Sequence, residues 1–179
     1  TGEALGWVFY VLDGRHRRIA VQNLTSAFNG QWSPREIKRT TRRVFLNLSR
    51  MGVETCRIPH LTAENVDQFI QVEGYEHYQE AKAKGKGILW ITGHLGPWEL
   101  LPAASALKGE PLHIIVRPLD NLYLDEAVNR FRRWGGNTII PKKQALRAVL
   151  EVLKKGESVA FLIDQNIARK EGVFVEFFG

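Results

Sequence analysis

Past residue 68 the chain alternates between short apolar runs and longer stretches whose apolar residues recur three and four apart. The short runs predict strands at 69–73, 88–92, 112–116, 138–140 and 159–163. The periodic stretches predict helices at 75–84, 98–107, 121–134 and 143–155. Leu124, Ala127, Val128 and Phe131 share one face of the third helix, and Leu146, Val149, Leu150 and Leu153 share one face of the fourth. Continuous apolar strands between amphipathic helices predict an α/β fold, a largely parallel sheet flanked by helices on both faces.

The first 68 residues predict a helical segment ahead of that sheet. Apolar spacing is mixed over 19–28. Ser33-Pro34-Arg35-Glu36 joins a cap, a Pro at the first helical position and a capping-box Glu. The helix that follows, to about Cys56, carries Ile37, Val44, Leu48 and Met51 on one stripe. A short helix is expected over 62–68, with Thr62 as its cap. The expected organisation is one domain over 1–179, with a helical part at 1–68 and an α/β core at 69–179 that carries the site. The helices are expected to pack on the same core.

Composition narrows the class. The chain has 179 residues, 44% of them hydrophobic and 25% charged, as in a globular domain with a sizeable core. Its single cysteine, Cys56, forms no intrachain disulfide and reads as a buried small hydrophobe at a helix end. The net charge of +6 is clustered in Arg15, Arg17 and Arg18, in Arg39, Arg42 and Arg43, in Arg130, Arg132 and Arg133, and in Lys142 and Lys143. Such faces suit an anionic lipid surface, a phosphorylated substrate or an acidic carrier, and any one such cluster is more often a solvated helix face. No RNA-binding motif accompanies them, and no nucleic-acid partner is expected. No apolar stretch is long enough for a membrane span; the run 5–12 is too short. The five His residues lack metal-ligand spacing, so no metal is expected.

The chemistry concentrates just after the strand at 88–92. Gly93 and His94 follow it, and Glu99 comes five positions after His94. Residues five apart on one helix point about 140° apart, so the two meet only if His94 lies in the loop and the chain folds back. Pro97 fits the first position of the next helix, with Gly96 as its cap and Glu99 at its third position. A carboxylate against an imidazole fixes its tautomer and supports its cation, so His94 becomes a base toward an alcohol. Taken alone, the pair is equally a loop His beside a helix-favoured Glu. Arg117 and Asp164-Gln165-Asn166 also follow predicted strand ends, where functional groups of parallel sheets gather.

Longer stretches carry a resemblance. Thr92-Gly93-His94-Leu95-Gly96-Pro97-Trp98-Glu99 resembles the H-x-x-x-x-D/E block of glycerolipid-type acyltransferases, in the G-H-x-G-x-W-E form of the late acyltransferases of lipid A biosynthesis. The segments Asp13 to Ala20 with Asn23-Leu24, Val72-Glu73-Gly74, Val116 to Asn121, Leu162 to Gln165, and Gly172 to Gly179 are similar to further blocks, in order along nearly the whole chain. One position departs: Pro97 stands where Asn is common, and it offers no N–H for an oxyanion.

The resemblance implies a glycerolipid acyltransferase-like fold and a membrane-associated O-acyltransferase. The acyl donor would be an acyl carrier protein thioester, or coenzyme A, with no other cofactor. The acceptor would be a hydroxyl of a lipid A precursor. It implies His94 as general base oriented by Glu99, with Arg117, Asp164, Gln165, Gly96 and Trp98 binding substrate. Arg117 would hold a phosphate of the acceptor or of a phosphopantetheine arm; its alternative is an ion pair with Asp120. Asp164 would orient Arg117 or bind substrate, and its alternative, with Asn166, is turn chemistry. Trp98 would pack at the pocket mouth, and Gly93 and Gly96 would permit close backbone approach or simply make turns. Arg169 and Lys170 would meet head groups or stay solvated.

The implied location is the cytoplasmic face of the bacterial inner membrane, at an anionic surface, peripheral or singly anchored. The chain is expected to be a piece lacking an anchor before it and part of the acyl pocket after it. Three other readings stay open at this stage: an acyltransferase for another glycolipid or phospholipid using acyl-CoA, a non-catalytic basic module for membrane or nucleic acid, and a hydrolase that uses water as acceptor.

Overall fold

The computed structural model describes residues 2–143, 145–165, 167 and 172–178. The chain forms two compact units, Thr1–Glu54 with Asn166–Gly179, and Thr55–Gln165. In the first unit lie the helices α1 (Gly2–Leu12), α2 (Gly14–Phe28) and α3 (Pro34–Thr55), the last crossing its boundary by one residue.

The start of α3 is the expected capping box. Glu36 Oε2 accepts from the Ser33 N–H and hydroxyl, each at 2.7 Å, and Ser33 Oγ accepts from the Glu36 N–H at 3.3 Å. Its buried stripe is Ile37, Thr41, Phe45 and Ser49, with Val44 and Leu48 turned toward solvent. The Thr41 hydroxyl is satisfied within the helix by the Ile37 carbonyl at 2.9 Å, so a polar residue sits inside at little cost. Cys56 is exposed, not buried.

In the second unit a 3-10 turn, Ile58–His60, leads to α4 (Val66–Phe69), α5 (Tyr75–Ala83), β1 (Ile88–Thr92), α6 (Leu100–Leu107), β2 (His113–Val116), α7 (Leu122–Arg132), β3 (Thr138–Pro141), α8 (Ala145–Lys154) and β4 (Ser158–Leu162). The strand expected at 69–73 does not form. Phe69 ends α4, and Phe69 and Val72 are about half exposed, so no buried face draws the segment into the sheet.

The described strands form a parallel sheet in the order β1-β4-β2-β3, and the protein is an α/β fold with a helical segment ahead of it. Right-handed crossovers put α6 and α7, which move the chain one way across the sheet, on one face, and α8, which brings it back, on the other. The α8 face is closed by Ile140, Val152 and Val159, packed with Ala148, Val149 and Leu153. The opposite face buries Leu112, Ile114, Val116 and Ala160 against Trp90 and Ile139. Gly87 lies against the α8 backbone: a Cβ there would fall 2.5 Å from Leu153 Cα. The return through α8 inserts β4 between β1 and β2, which decides what stands beside His94.

Candidate active site

β1 and β4 pair in register from Ile88↔Ser158 to Thr92↔Leu162. The ladder runs one step further, with the Ile163 N–H donating to the Thr92 carbonyl at 3.2 Å. The next residues out are His94 and Asp164, neighbours in space although 70 apart in sequence. Asp164 Oδ2 accepts from the His94 backbone N–H at 2.7 Å, and Oδ1 lies 2.7 Å from the ring Nδ1. The two bonds fix both the loop and the ring. A carboxylate accepts only, so Nδ1 carries a proton and Nε2 presents its lone pair. The Gln165 amide nitrogen sits 3.2 Å from that Nε2 and donates to it.

Gly93 makes room for the clamp. A Cβ at this position would stand 3.1 Å from Asp164 Oδ2 and 3.2 Å from its Cγ. The hydrogen bond to the His94 ring is the largest influence on Asp164 and holds its carboxyl below the ordinary 3.8, against a smaller opposing effect of burial. Side-chain exposure of 27% for His94 and 41% for Asp164 leaves the dyad open to an incoming hydroxyl. The Trp98 ring stands edge-on to the imidazole, with centroids 4.9 Å apart.

Glu99 pairs with Arg132 and not with the His94 ring, where the sequence expectation put it. Gly96 takes φ +57°, a conformation that favours glycine, and the Trp98 N–H donates back to the Gly96 carbonyl at 2.9 Å. This turn delays α6 until Leu100, so Pro97 is not its first residue and Glu99 occupies the cap position rather than the third. From there the carboxylate meets Arg132 of α7. Arg132 Nε donates to Oε2 at 3.0 Å and to Oε1 at 3.2 Å, and Nη2 donates to Oε1 at 2.5 Å. Both side chains are largely buried, and Arg132 Nη1 is a buried donor with no partner among the described residues.

Arg132 is the site-shaping residue that sequence reading missed, because it was counted with a surface cluster. The inward side of α7 is partly polar, with Asp125, Asn129 and Arg132 beside the half-buried Val128 and Phe131 of the expected apolar face. Asp125 accepts from the Leu119 N–H at 2.8 Å and from the Asn129 amide at 2.9 Å, and Arg132 continues the same face. Leu124, expected inside, is exposed. Asp125, Asn129 and Arg132, spaced four and three apart, are themselves a helical period and were the available signal.

Arg117 follows β2, the strand next to β4, on the same carboxyl edge as the dyad. Its pairing with Asp120 is loose, at 3.8 Å with both side chains in solvent, so its guanidinium is available to an anion. Asp164 serves His94 rather than Arg117. Asn166, Arg169 and Lys170 lie outside the described residues. Among the described residues no group of three or more His, Cys, Asp or Glu is placed to hold a metal, and no helix is long and apolar enough to cross a membrane.

Residues 1–179 match the sequence profile of the family described as bacterial lipid A biosynthesis acyltransferase. A lipid A biosynthesis palmitoleoyltransferase of Escherichia coli strain K12 is 29% identical over 164 residues, covering 92% of this chain and 53% of that protein. A lipid A biosynthesis lauroyltransferase of the same organism is 26% identical over the same shares of the two chains. A lipid A biosynthesis acyltransferase of Haemophilus influenzae is 23% identical over 181 residues, covering 100% of this chain and 56% of that protein. The chain thus spans about half the length of these relatives. With its profile matched from end to end, the chain belongs to the bacterial lipid A biosynthesis acyltransferase family.

Proposed function

We propose that this chain carries the catalytic centre of a membrane-associated O-acyltransferase. It moves a fatty acyl chain from an acyl carrier protein thioester to a hydroxyl of a lipid A precursor, at the cytoplasmic face of the inner membrane. The observation that carries this reading is the two-bond clamp of Asp164 on His94, which leaves Nε2 as a positioned base. Family membership supports the acyl chemistry and the acceptor class. The net charge of +6 suits both an acidic carrier and an anionic membrane.

The acceptor hydroxyl displaces the Gln165 amide from His94 Nε2 and gives its proton to that nitrogen. Its oxygen attacks the thioester carbonyl carbon, and the C–S bond breaks as the tetrahedral oxyanion collapses. The imidazolium, supported by Asp164, returns the proton to the departing thiolate. Pro97 offers no N–H to the oxyanion, which leaves amides of the first α6 turn or a cation to stabilise it. Arg117 binds a phosphate of the acceptor or of the phosphopantetheine arm. Gly96 and Trp98 border the reacting groups. Glu99 acts through Arg132, holding the turn that carries His94. No metal or prosthetic group takes part in these steps.

The test is transfer of a radiolabelled acyl chain from acyl carrier protein to a purified lipid A precursor by the full-length protein and its His94→Ala variant. Loss of transfer in a folded variant supports the reading. Undiminished transfer refutes it, and release of free fatty acid without acceptor identifies a hydrolase instead.

A further inference from the structure

The first half of α3 carries a single sign of charge on its open side. Arg35, Lys38, Arg39, Arg42 and Arg43 fall within nine residues, and all five are exposed. At about 100° per residue Arg35, Arg39 and Arg42 lie within about 60° of one another, on the side turned away from the buried Ile37 and Thr41. At a rise of about 1.5 Å per residue they form a stripe about 10 Å long, flanked by Lys38 and Arg43. Contacts on the far side hold the stripe outward. Tyr10 stands edge-on to Phe45 with centroids 5.6 Å apart, and a Cβ on Gly6 would fall 2.7 Å from Leu46 Cα.

Nothing within the helix answers this charge. Glu36 is the only carboxylate between Ser33 and Val53, and it is engaged by the Ser33 N–H and hydroxyl. Among the described residues none of the five cations makes an ion pair. Arg35 with Arg39, Lys38 with Arg42, and Arg39 with Arg43 are like charges four apart, a spacing that destabilises a helix. Arg35 also stands in the first turn, where the helix dipole disfavours a cation. The arrangement works against the stability of α3, so its use lies outside the helix.

The face also lacks the companions that other anions require. Ile37 is the only large apolar side chain over 34–43, and it is buried. A lipid-seeking helix sets apolar anchors beside its cations, and a single-stranded nucleic acid site sets aromatic rings there. A polar, purely cationic stripe fits carboxylates presented at the same spacing by an acidic helix.

We infer that the Arg35–Arg39–Arg42 face of α3 is the docking surface for the acidic acyl carrier protein. This rests on the proposed donor and adds where that donor is gripped. It does not need the chemistry at His94, so carrier binding and acyl transfer can fail separately.

The test compares the full-length protein with an Arg35→Glu, Arg39→Glu, Arg42→Glu variant on two donors, acyl carrier protein thioester and the same acyl group on pantetheine alone. The variant raises KM for the carrier-bound donor about tenfold or more and keeps kcat at saturation, and high salt erases the difference. KM for the pantetheine thioester does not change. Its denaturation midpoint is no lower than the parent's, and a triple Arg→Lys variant at the same positions keeps the parent's KM. Calorimetric binding of unacylated carrier to His94→Ala gives a readout independent of turnover: the carrier binds, and the three glutamates abolish binding. A parent that binds the carrier but transfers nothing refutes the proposed chemistry and leaves this surface standing. Unchanged carrier binding and KM in the glutamate variant overturn the inference, as does an equal loss with pantetheine thioester. So does a variant that keeps the carrier and instead loses binding to phosphatidylglycerol vesicles or to RNA.

Discussion

Asp164 holds His94 by two bonds of 2.7 Å each, one to its backbone N–H and one to its ring. The pair exists because β4 inserts beside β1 and the two strands keep register to their ends. The ring bond sets the tautomer, and the backbone bond sets where the ring starts. A base held in this way loses little orientational freedom when an alcohol arrives.

Gly93→Ala will damage the site without unfolding the sheet. The new Cβ would press on the Asp164 carboxylate at 3.1–3.2 Å, and the aspartate yields by moving off His94. We expect a fall in kcat of about 10–100-fold, on the scale of an ångström misplacement at a reacting centre. Denaturation midpoints close to the parent's, measured with the kinetics, will separate this from general destabilisation.

The link to Asp164 has a defined pH dependence. Its folded-state pKa lies below the ordinary 3.8, with the His94 hydrogen bond as the main cause. The carboxylate is therefore favoured by folding, so its contribution is complete above the unfolded value and is lost as pH falls through the lower folded value. Urea denaturation of the parent and of Asp164→Asn will show a stability gap that is flat from neutral pH down to mild acid and closes in strong acid. A gap that widens on acidification would contradict this sign.

Glu99 and Arg132 are coupled structural partners. Removing either leaves a largely buried charge alone, so Glu99→Ala and Arg132→Ala should each cost about 1–3 kcal/mol. The double variant will cost less than the two singles added together. Additive costs in a denaturant double-mutant cycle would show that the three contacts contribute nothing jointly.

Gly87→Ala tests the packing of β1 against α8. Its Cβ would overlap Leu153 Cα and carbonyl oxygen at 2.5 Å, and backbone cannot move aside as a side chain does. We expect a loss of about 1–3 kcal/mol in denaturant unfolding.

Much of this fold was legible because its signals are local. The apolar runs of β1 to β4 and the helices between them follow the periodicity of their own residues, and ends such as Ser33 to Glu36 declare themselves by capping chemistry. His94 was legible as a residue just past a buried strand. Its partner was not, because the meeting with Asp164 depends on strand order and on register across 70 residues. Glu99 was placed beside His94 by counting from a helix start at Pro97. The left-handed Gly96 and the turn after it move that start to Leu100 and hand the carboxylate to Arg132. On α7 the apolar stripe marked the inner face only in part: Val128 and Phe131 are half-buried, whereas Leu124 is exposed and Asn129, paired with Asp125, and Arg132, paired with Glu99, turn inward. The run at 69–73 has strand-like residues but no neighbour to pair with.

The most direct measurement is kcat for acyl transfer by Asp164→Asn and Glu99→Gln, side by side in the full-length protein. The account predicts that Asp164→Asn loses about 10²–10⁴-fold, the scale of an oriented general base. Glu99→Gln, which keeps a hydrogen bond to Arg132, should stay within about tenfold of the parent. A near-normal Asp164→Asn beside an inactive but folded Glu99→Gln would contradict it, and would return the orienting role to Glu99.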